Sequence, residues 1–333
     1  MVTTATCHDL WEKPLNTAVF HFSLEIRFLG LPTNLLGKYN RRIMQIRANI
    51  ILLTAAAIWG FAFVAQRIGL EYIGPFTFNG IRFALGGISL LPLMWYFKKY
   101  PQTNSAPIQP LSVVRMGLLA GLILFLAASL QQVGIVDTTA GKAAFITCLY
   151  IVLVPLAGLF LKRRIAFSTW SGCLLSITGL YLLCLKEDFS IAYGDLLELI
   201  GALFWTAHIL LIDYVSRRVD TLKLAFIQFA TCSLLSLGVA AITESITLAA
   251  VLQAGIPILY GGFGSVGIAY TLQIIGQKNA SPAHAALILS LETVFAAIGG
   301  FLILGEMLGS RELLGCALML AGMILSQRHN LSY

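Results

Sequence analysis

The sequence predicts an all-α integral membrane protein of about ten transmembrane helices, arranged as two inverted five-helix repeats with both termini cytoplasmic. Three observations carry this expectation. Of 333 residues, 58% are hydrophobic and 11% charged, with a mean hydropathy of +0.85. Soluble domains carry about 25% charged residues, so this chain has too little charge to cover a water-facing surface. The apolar residues fall into blocks of about 18–24, the length at which a helix crosses the hydrocarbon core. Finally, the second half of the chain resembles the first.

Taken in order, residues 1–45 read as an extension, with Asp9, Glu12, Glu25 and Arg27 among short apolar pieces and Pro14 and Pro32 as breakers. It has neither the basic start nor the unbroken apolar core of a secretory signal, and it reads as an amphipathic leader or an over-long start. The first half, residues 46–187, holds spans near 48–67, 76–97, 113–136, 139–161 and 168–185. The second, residues 190–327, holds spans near 194–215, 221–242, 254–276, 281–304 and 310–327, followed by a tail over 328–333. With the amino terminus inside, fourteen Lys and Arg residues fall on cytoplasmic segments, among them Lys98, Lys99, Lys162, Arg163, Arg164, Arg217 and Arg218. Only Arg67, Lys142, Lys186 and Arg311 fall outside. That asymmetry is the positive-inside rule, and it places the net charge of +7 at membrane edges. Nucleic acid is therefore not an expected partner; the bilayer is. The six cysteines are scattered without metal-ligand or redox spacing, so no metal or cofactor is expected.

The duplication is legible without a gap from Leu130 against Leu272. Leu130, Gln131, Gly134, Ala143, Ala144, Leu149 and Gly158 recur as Leu272, Gln273, Gly276, Ala285, Ala286, Leu291 and Gly300. Gly172 and Gly179 recur as Gly315 and Gly322, and Trp59 and Phe83 match Trp205 and Phe229 more weakly. Five spans per half is an odd number, so the second half enters the membrane in the opposite sense. Inverted repeats of this kind are a device of secondary transporters, which bind solute near the midplane between the repeats.

Candidate site residues are the polar and aromatic groups at mid-span. Glu292 interrupts the run from Ser281 to Glu306, on a face it shares with Ala285, Ala296 and Gly299. A carboxylate there costs roughly 2.5–3.5 kcal/mol on insertion scales. It is either a proton- or substrate-linked group or a helix lock. Tyr150 is its repeat counterpart, ahead of Pro155, which frees a backbone carbonyl; the alignment suggests that Tyr150 faces Glu292. Trp59 and Gln66 share a face of the first span with Ala55 and Ala62. Trp205 and His208 share one of the sixth with Gly201 and Ile212, and Glu198 a turn earlier. Gln131, Gln132, Tyr270 and Gln273 can hold a polar solute or bridge helices. His208, whose ordinary pKa lies near 6.5, is the second proton-coupling candidate beside Glu292, or a hydrogen-bonded core histidine. Arg82 either snorkels to the outer interface or pairs with an acid such as Glu71. Lys142 and His284 read as gates at the two mouths or as solvated helix ends.

With AAIWGFAFVAQRIG (Ala56 to Gly69), FNGIRFALGG (Phe78 to Gly87) and LSLETVFAAIGGFLILGE (Leu289 to Glu306), the chain resembles the drug/metabolite transporter superfamily. The resemblance is to its EamA-domain branch of ten-helix bacterial permeases, over roughly residues 46–327. It departs in ending the first repeat with LKRR (Leu161 to Arg164) where the second has LGE, and in Trp205-Thr206 where the first half has Trp-Gly. Those departures predict an asymmetric lining. The resemblance implies a multi-pass protein of the bacterial inner membrane that exports small organic solutes such as amino acids or drugs by alternating access, with the proton as a possible coupling ion. A nucleotide-sugar or sugar-phosphate exchanger of the same superfamily would want several cavity cations, and only Arg82 and Lys142 approach that. An intramembrane enzyme would need convergent catalytic groups, and no P-loop is present for ATP drive. A receptor without flux is the remaining alternative.

Overall fold

The computed structural model describes residues 34–99, 110–137, 140–163, 165–184, 193–305 and 309–330, and every regular element among them is helical. The chain divides into two compact units, residues 1–47 and residues 48–332. Of the first, the described part is helical from Asn34; the extension expected over 1–45 otherwise lies outside the described residues, as do residues 331–333 of the tail.

The helices are α1 (Asn34–Gly69), α2 (Pro75–Lys99), α3 (Pro110–Asp137), α4 (Ala140–Thr147), α5 (Tyr150–Phe160), α6 (Phe167–Cys184) and α7 (Tyr193–Ser216). They continue as α8 (Thr221–Thr243), α9 (Leu248–Gln253), α10 (Gly255–Leu259), a π-helix over Tyr260–Tyr270, α11 (Thr271–Gln277), α12 (Pro282–Leu289), α13 (Glu292–Leu304) and α14 (Ser310–Asn330). Among the described residues, seven runs are long and apolar enough to cross a membrane; Tyr150–Phe160 and Leu313–Ser326 are shorter apolar helices. The surface matches a lipid solvent: Phe160 and Ile242 are 88% and 87% exposed, while Asn79, Gln132, Glu198, His208 and Gln228 are fully buried. Such an inverted distribution is what a bilayer permits and water does not.

Two runs expected as single helices are broken, and at equivalent places. α4 gives way to α5 at Cys148–Leu149, and α12 to α13 at Ser290–Leu291. The hydrogen bonds correspond. Leu149 N and Ile151 N donate three residues back, to Ile146 O and Cys148 O; Leu291 N and Thr293 N do the same, to Ile288 O and Ser290 O. One tightened turn in each run thus redirects the helix without glycine or proline. Proline acts one turn later: Pro155 leaves Ile151 O without its helical donor, and the Cys173 thiol donates to it at 3.4 Å. Both broken runs also end alike, on Lys162 (φ 57°) and on Gly305 (φ 68°). The run expected over 254–276 likewise departs from a plain helix, with its glycine-rich centre wound as the π-helix.

The last helix of each half packs against the other, α6 on α14. A methyl on Gly172 would lie 2.7 Å from Gly322 O, and one on Gly179 would lie 2.5 Å from Gly315 O. Each glycine therefore meets the repeat equivalent of the other, the reciprocity that a twofold contact requires. Two polar contacts tie the ends. Glu244, following α8, accepts from Phe76 N and Thr77 N at 2.8 Å each and caps α2. Asp213 on α7 accepts from Arg163 at 2.8 Å and Arg217 at 3.4 Å.

Candidate functional site

Where the two broken runs meet, their first residues touch. Tyr150 opens α5, Glu292 opens α13, and the Tyr150 hydroxyl donates to Glu292 Oε1 at 2.9 Å. The Cys148 thiol, in the first turn-break, approaches the same oxygen at 3.6 Å. Glu292 is 6% exposed and lies in the first turn of its half-helix, the end at which the helix dipole favours negative charge. The carboxylate therefore sits at the break itself, held by the hydroxyl and thiol of the opposite run.

This pair forms part of the wall of a partly open cavity. Trp59, Phe63 and Gln66 come from α1, Arg82 from α2, Gln131 from α3 and Thr147 from α4. Trp205 and Ile209 come from α7, Ser265 and Tyr270 from the π-helix, Gln273 from α11 and Leu289 from α12. The lining comes largely in repeat-related pairs: Gln131 with Gln273, Thr147 with Leu289, Tyr150 with Glu292, Trp59 with Trp205 and Phe63 with Ile209.

Aromatic contacts fix the interior. Tyr270, at the end of the π-helix, has its ring 4.7 Å from Trp59 edge-on and 6.2 Å from Trp205 stacked. Trp59 Nε1 donates to Ser265 O at 3.2 Å, and Trp205 Nε1 to Gln131 Oε1 at 2.9 Å. Each indole thus has its polar edge satisfied while its face lines the cavity. Thr147 Oγ1 donates to Glu198 Oε2 at 2.7 Å, linking the first broken run to α7.

Of the candidate residues expected at the cavity, His208 and Gln132 do not line it, and Trp59, Gln66, Gln131, Tyr150, Trp205, Tyr270, Gln273 and Glu292 do. His208 is fully buried, its Nε2 3.2 Å from Gln228 Oε1 and its ring edge-on to Tyr270 and Trp205. It sits behind the wall, because the aromatic rings cover it. Gln132 also lies off the cavity, fully buried. Arg82 neither snorkels nor pairs with Glu71. It is 3% exposed and donates through Nε to Asn79 Oδ1 at 3.0 Å, because Phe78 and Phe83 flank its guanidinium at 5.6 and 5.1 Å. The signal for this was present in FNGIRF, where an amide three residues before the arginine can hold it inward. His284 is no solvated end: its Nε2 lies 3.0 Å from Asn49 Oδ1 and its Nδ1 3.4 Å from Ser326 Oγ. The Lys142 side chain lies outside the described residues.

Lipid-facing helices, broken spans and an aromatic cavity shared by two related halves define a multi-pass membrane protein of the transporter class. The sequence pattern of the EamA-like transporter family matches residues 46–185 and 192–327, and the chain belongs to that family. An "uncharacterized transporter" of Archaeoglobus fulgidus is 32% identical over 294 residues, covering 85% of this chain and 86% of that one. YoaV of Bacillus subtilis, also named an uncharacterized transporter, is 23% identical over 85% of this chain and 97% of its own. YedA of Escherichia coli K12, an "uncharacterized inner membrane transporter", is 27% identical over 80% and 86%. A solved crystal structure superposes with a TM-score of 0.70 at 18% identity, covering 85% of this chain and 98% of that one, a likeness of fold. The protein is a membrane transporter.

Proposed function

We propose that the protein is a secondary transporter that exports small organic solutes such as amino acids or drugs across the inner membrane. In this reading ten spans form two inverted five-helix repeats with both termini cytoplasmic, and the halves rock about the cavity to open it to each side in turn. The observation that carries it is the meeting of Tyr150 and Glu292 at equivalent helix breaks on the wall of a cavity lined in repeat-related pairs. The Arg163–Asp213–Arg217 cluster supports the orientation, since it joins two segments assigned to the cytoplasm by their charge.

Glu292 is the proton-coupling group in this scheme, and Tyr150 sets the position of its carboxyl. His208, covered by Tyr270 and Trp205, keeps its bond to Gln228 through the cycle. Trp59, Trp205, Tyr270 and Phe63 hold the apolar part of the solute, and Gln66, Gln131 and Gln273 supply uncharged hydrogen-bonding groups. Purified protein in liposomes, given labelled amino acids with and without an imposed pH gradient, tests the reading. Protein-dependent flux that rises with the gradient supports it; flux indifferent to the gradient removes the coupling, and no flux for amino acids, drugs or sugars removes transport.

A further inference from the structure

Among the described residues, Arg82 is a charge with no carboxylate in contact. It cannot deprotonate under physiological conditions, it is 3% exposed, and it lies on the cavity wall. Among the described residues no carboxylate oxygen comes within 4.0 Å of it, and its only hydrogen bond is the one from Nε to Asn79 Oδ1 at 3.0 Å. Nη1 and Nη2, the two arms of the fork, have no acceptor there. The guanidinium is nonetheless held firmly. Asn79 is itself anchored, its Nδ2 donating to Ala128 O on α3 at 3.0 Å, and the Phe78 and Phe83 rings stand 5.6 and 5.1 Å from Cζ. On the far side the π-helix leaves room for the shaft, since a methyl on Gly261 would lie 3.4 Å from Arg82 Cδ. A fixed fork with its own orienting amide is a preorganised receptor for a planar, singly charged acceptor pair.

We propose that Arg82 receives a carboxylate of the transported solute, so that the cargo is an organic monocarboxylate with an apolar body. This rests on the transport reading above and narrows it. A carboxylate matches the two arms in one plane, and one cation balances one negative charge. A phosphate dianion would call for a second cation, and Arg82 is the one cationic side chain among the described lining residues. Trp59, Phe63, Trp205, Ile209 and Leu289 suit an apolar body, and they share the wall with polar groups, among them Gln66, Gln131, Gln273 and Glu292. Neutralising the guanidinium with the solute's own charge also makes occupancy the condition under which this buried cation is paired, so that the loaded cavity is the one better able to cross the midpoint of the cycle.

The test compares leucine, phenylalanine and 4-methylpentanoate with their methyl esters, and leucine with isopentylamine, which lacks the carboxylate. Two readouts are taken on the full-length wild-type protein: counterflow in liposomes, and quenching of tryptophan fluorescence, to which Trp59 and Trp205 contribute from the cavity wall. The acids are expected to be carried and to quench saturably, with esters and amine at least tenfold weaker in both. Arg82→Gln is expected to lower acid flux tenfold or more and Arg82→Lys to restore part of it. The wild-type comparison of acid with ester decides the matter even if neither variant folds. Flux or quenching equal for acid, ester and amine, or no quenching by any acid, overturns the carboxylate site. Flux without acid preference leaves transport standing and removes this proposal, whereas acid-specific quenching without flux keeps the site and removes transport.

Discussion

Replacing Glu292 with glutamine separates the coupling role of its carboxyl from its structural one. Glutamine keeps the side-chain volume and the oxygen that accepts from Tyr150 at 2.9 Å, and loses only the capacity to titrate. A hydrogen bond to a charged group contributes roughly 1.5–3 kcal/mol and a neutral one roughly 0.5–1.5, so the exchange weakens this contact by roughly 1 kcal/mol. The variant should therefore fold and hold its cavity. The effect on coupling is of a different kind. One pH unit is worth about 1.4 kcal/mol per proton, which for one proton exchanged per solute sustains about tenfold accumulation. Glu292→Gln should bring that ratio to one while counterflow, which needs no gradient, persists in part. Tyr150→Phe is the control, removing the donor but leaving the carboxyl. It should retain gradient dependence at reduced rate. Accumulation by Glu292→Gln equal to that of the wild type would refute the coupling role, and Glu292 would then be a lock between two half-helices.

Other substitutions test the frame. Lys162, the one described non-glycine residue at positive φ, sits where the second repeat has Gly305. Lys162→Gly should stabilise the protein in detergent by about 1 kcal/mol, read as a rise in melting temperature; a fall would show that the lysine side chain contributes more than the strained backbone costs. Gly179→Val places a branched side chain against Gly315 O, where even a methyl would lie at 2.5 Å. It should lower the thermal midpoint by the equivalent of roughly 1–3 kcal/mol, more than the same change at Gly238, which has nothing within 4 Å. Glu244→Ala removes the acceptor for two N–H groups at the start of α2 and should cost about 1–2 kcal/mol. Thermal unfolding unchanged in that variant would show that water replaces the cap.

The parts legible in the sequence were those written in composition and period. Apolar runs of one bilayer thickness, the alignment of Gln131 with Gln273 and Tyr150 with Glu292, and the faces carrying Trp59 and Trp205 all follow from residue type and spacing. The breaks at Cys148–Leu149 and Ser290–Leu291 were not legible, because nothing there is a helix breaker. Each is a single turn tightened by i−3 hydrogen bonds, and its stability comes from contacts made across the other half. The π-helix is equally silent: glycines at 261, 262, 264 and 267 permit several windings, and packing against α2 selects one. His208 shows the opposite difficulty. Its face was readable, but which residue on that face meets the cavity depends on Tyr270, 62 residues further along the chain. An isolated buried cation is costly, which is why the sequence points Arg82 to the outer interface or to an acid such as Glu71; Asn79, Phe78 and Phe83 are what make its buried position tolerable.

The central claim is that two related halves expose one cavity alternately to the two sides of the membrane. Trans-stimulation tests it most directly: liposomes containing the protein are loaded with unlabelled leucine or phenylalanine, and entry of the labelled compound is followed with no pH gradient. The account predicts that internal solute accelerates entry and drives a transient overshoot, because the loaded carrier returns faster than the empty one. Entry that is protein-dependent but indifferent to internal solute would describe an open pore and contradict alternating access.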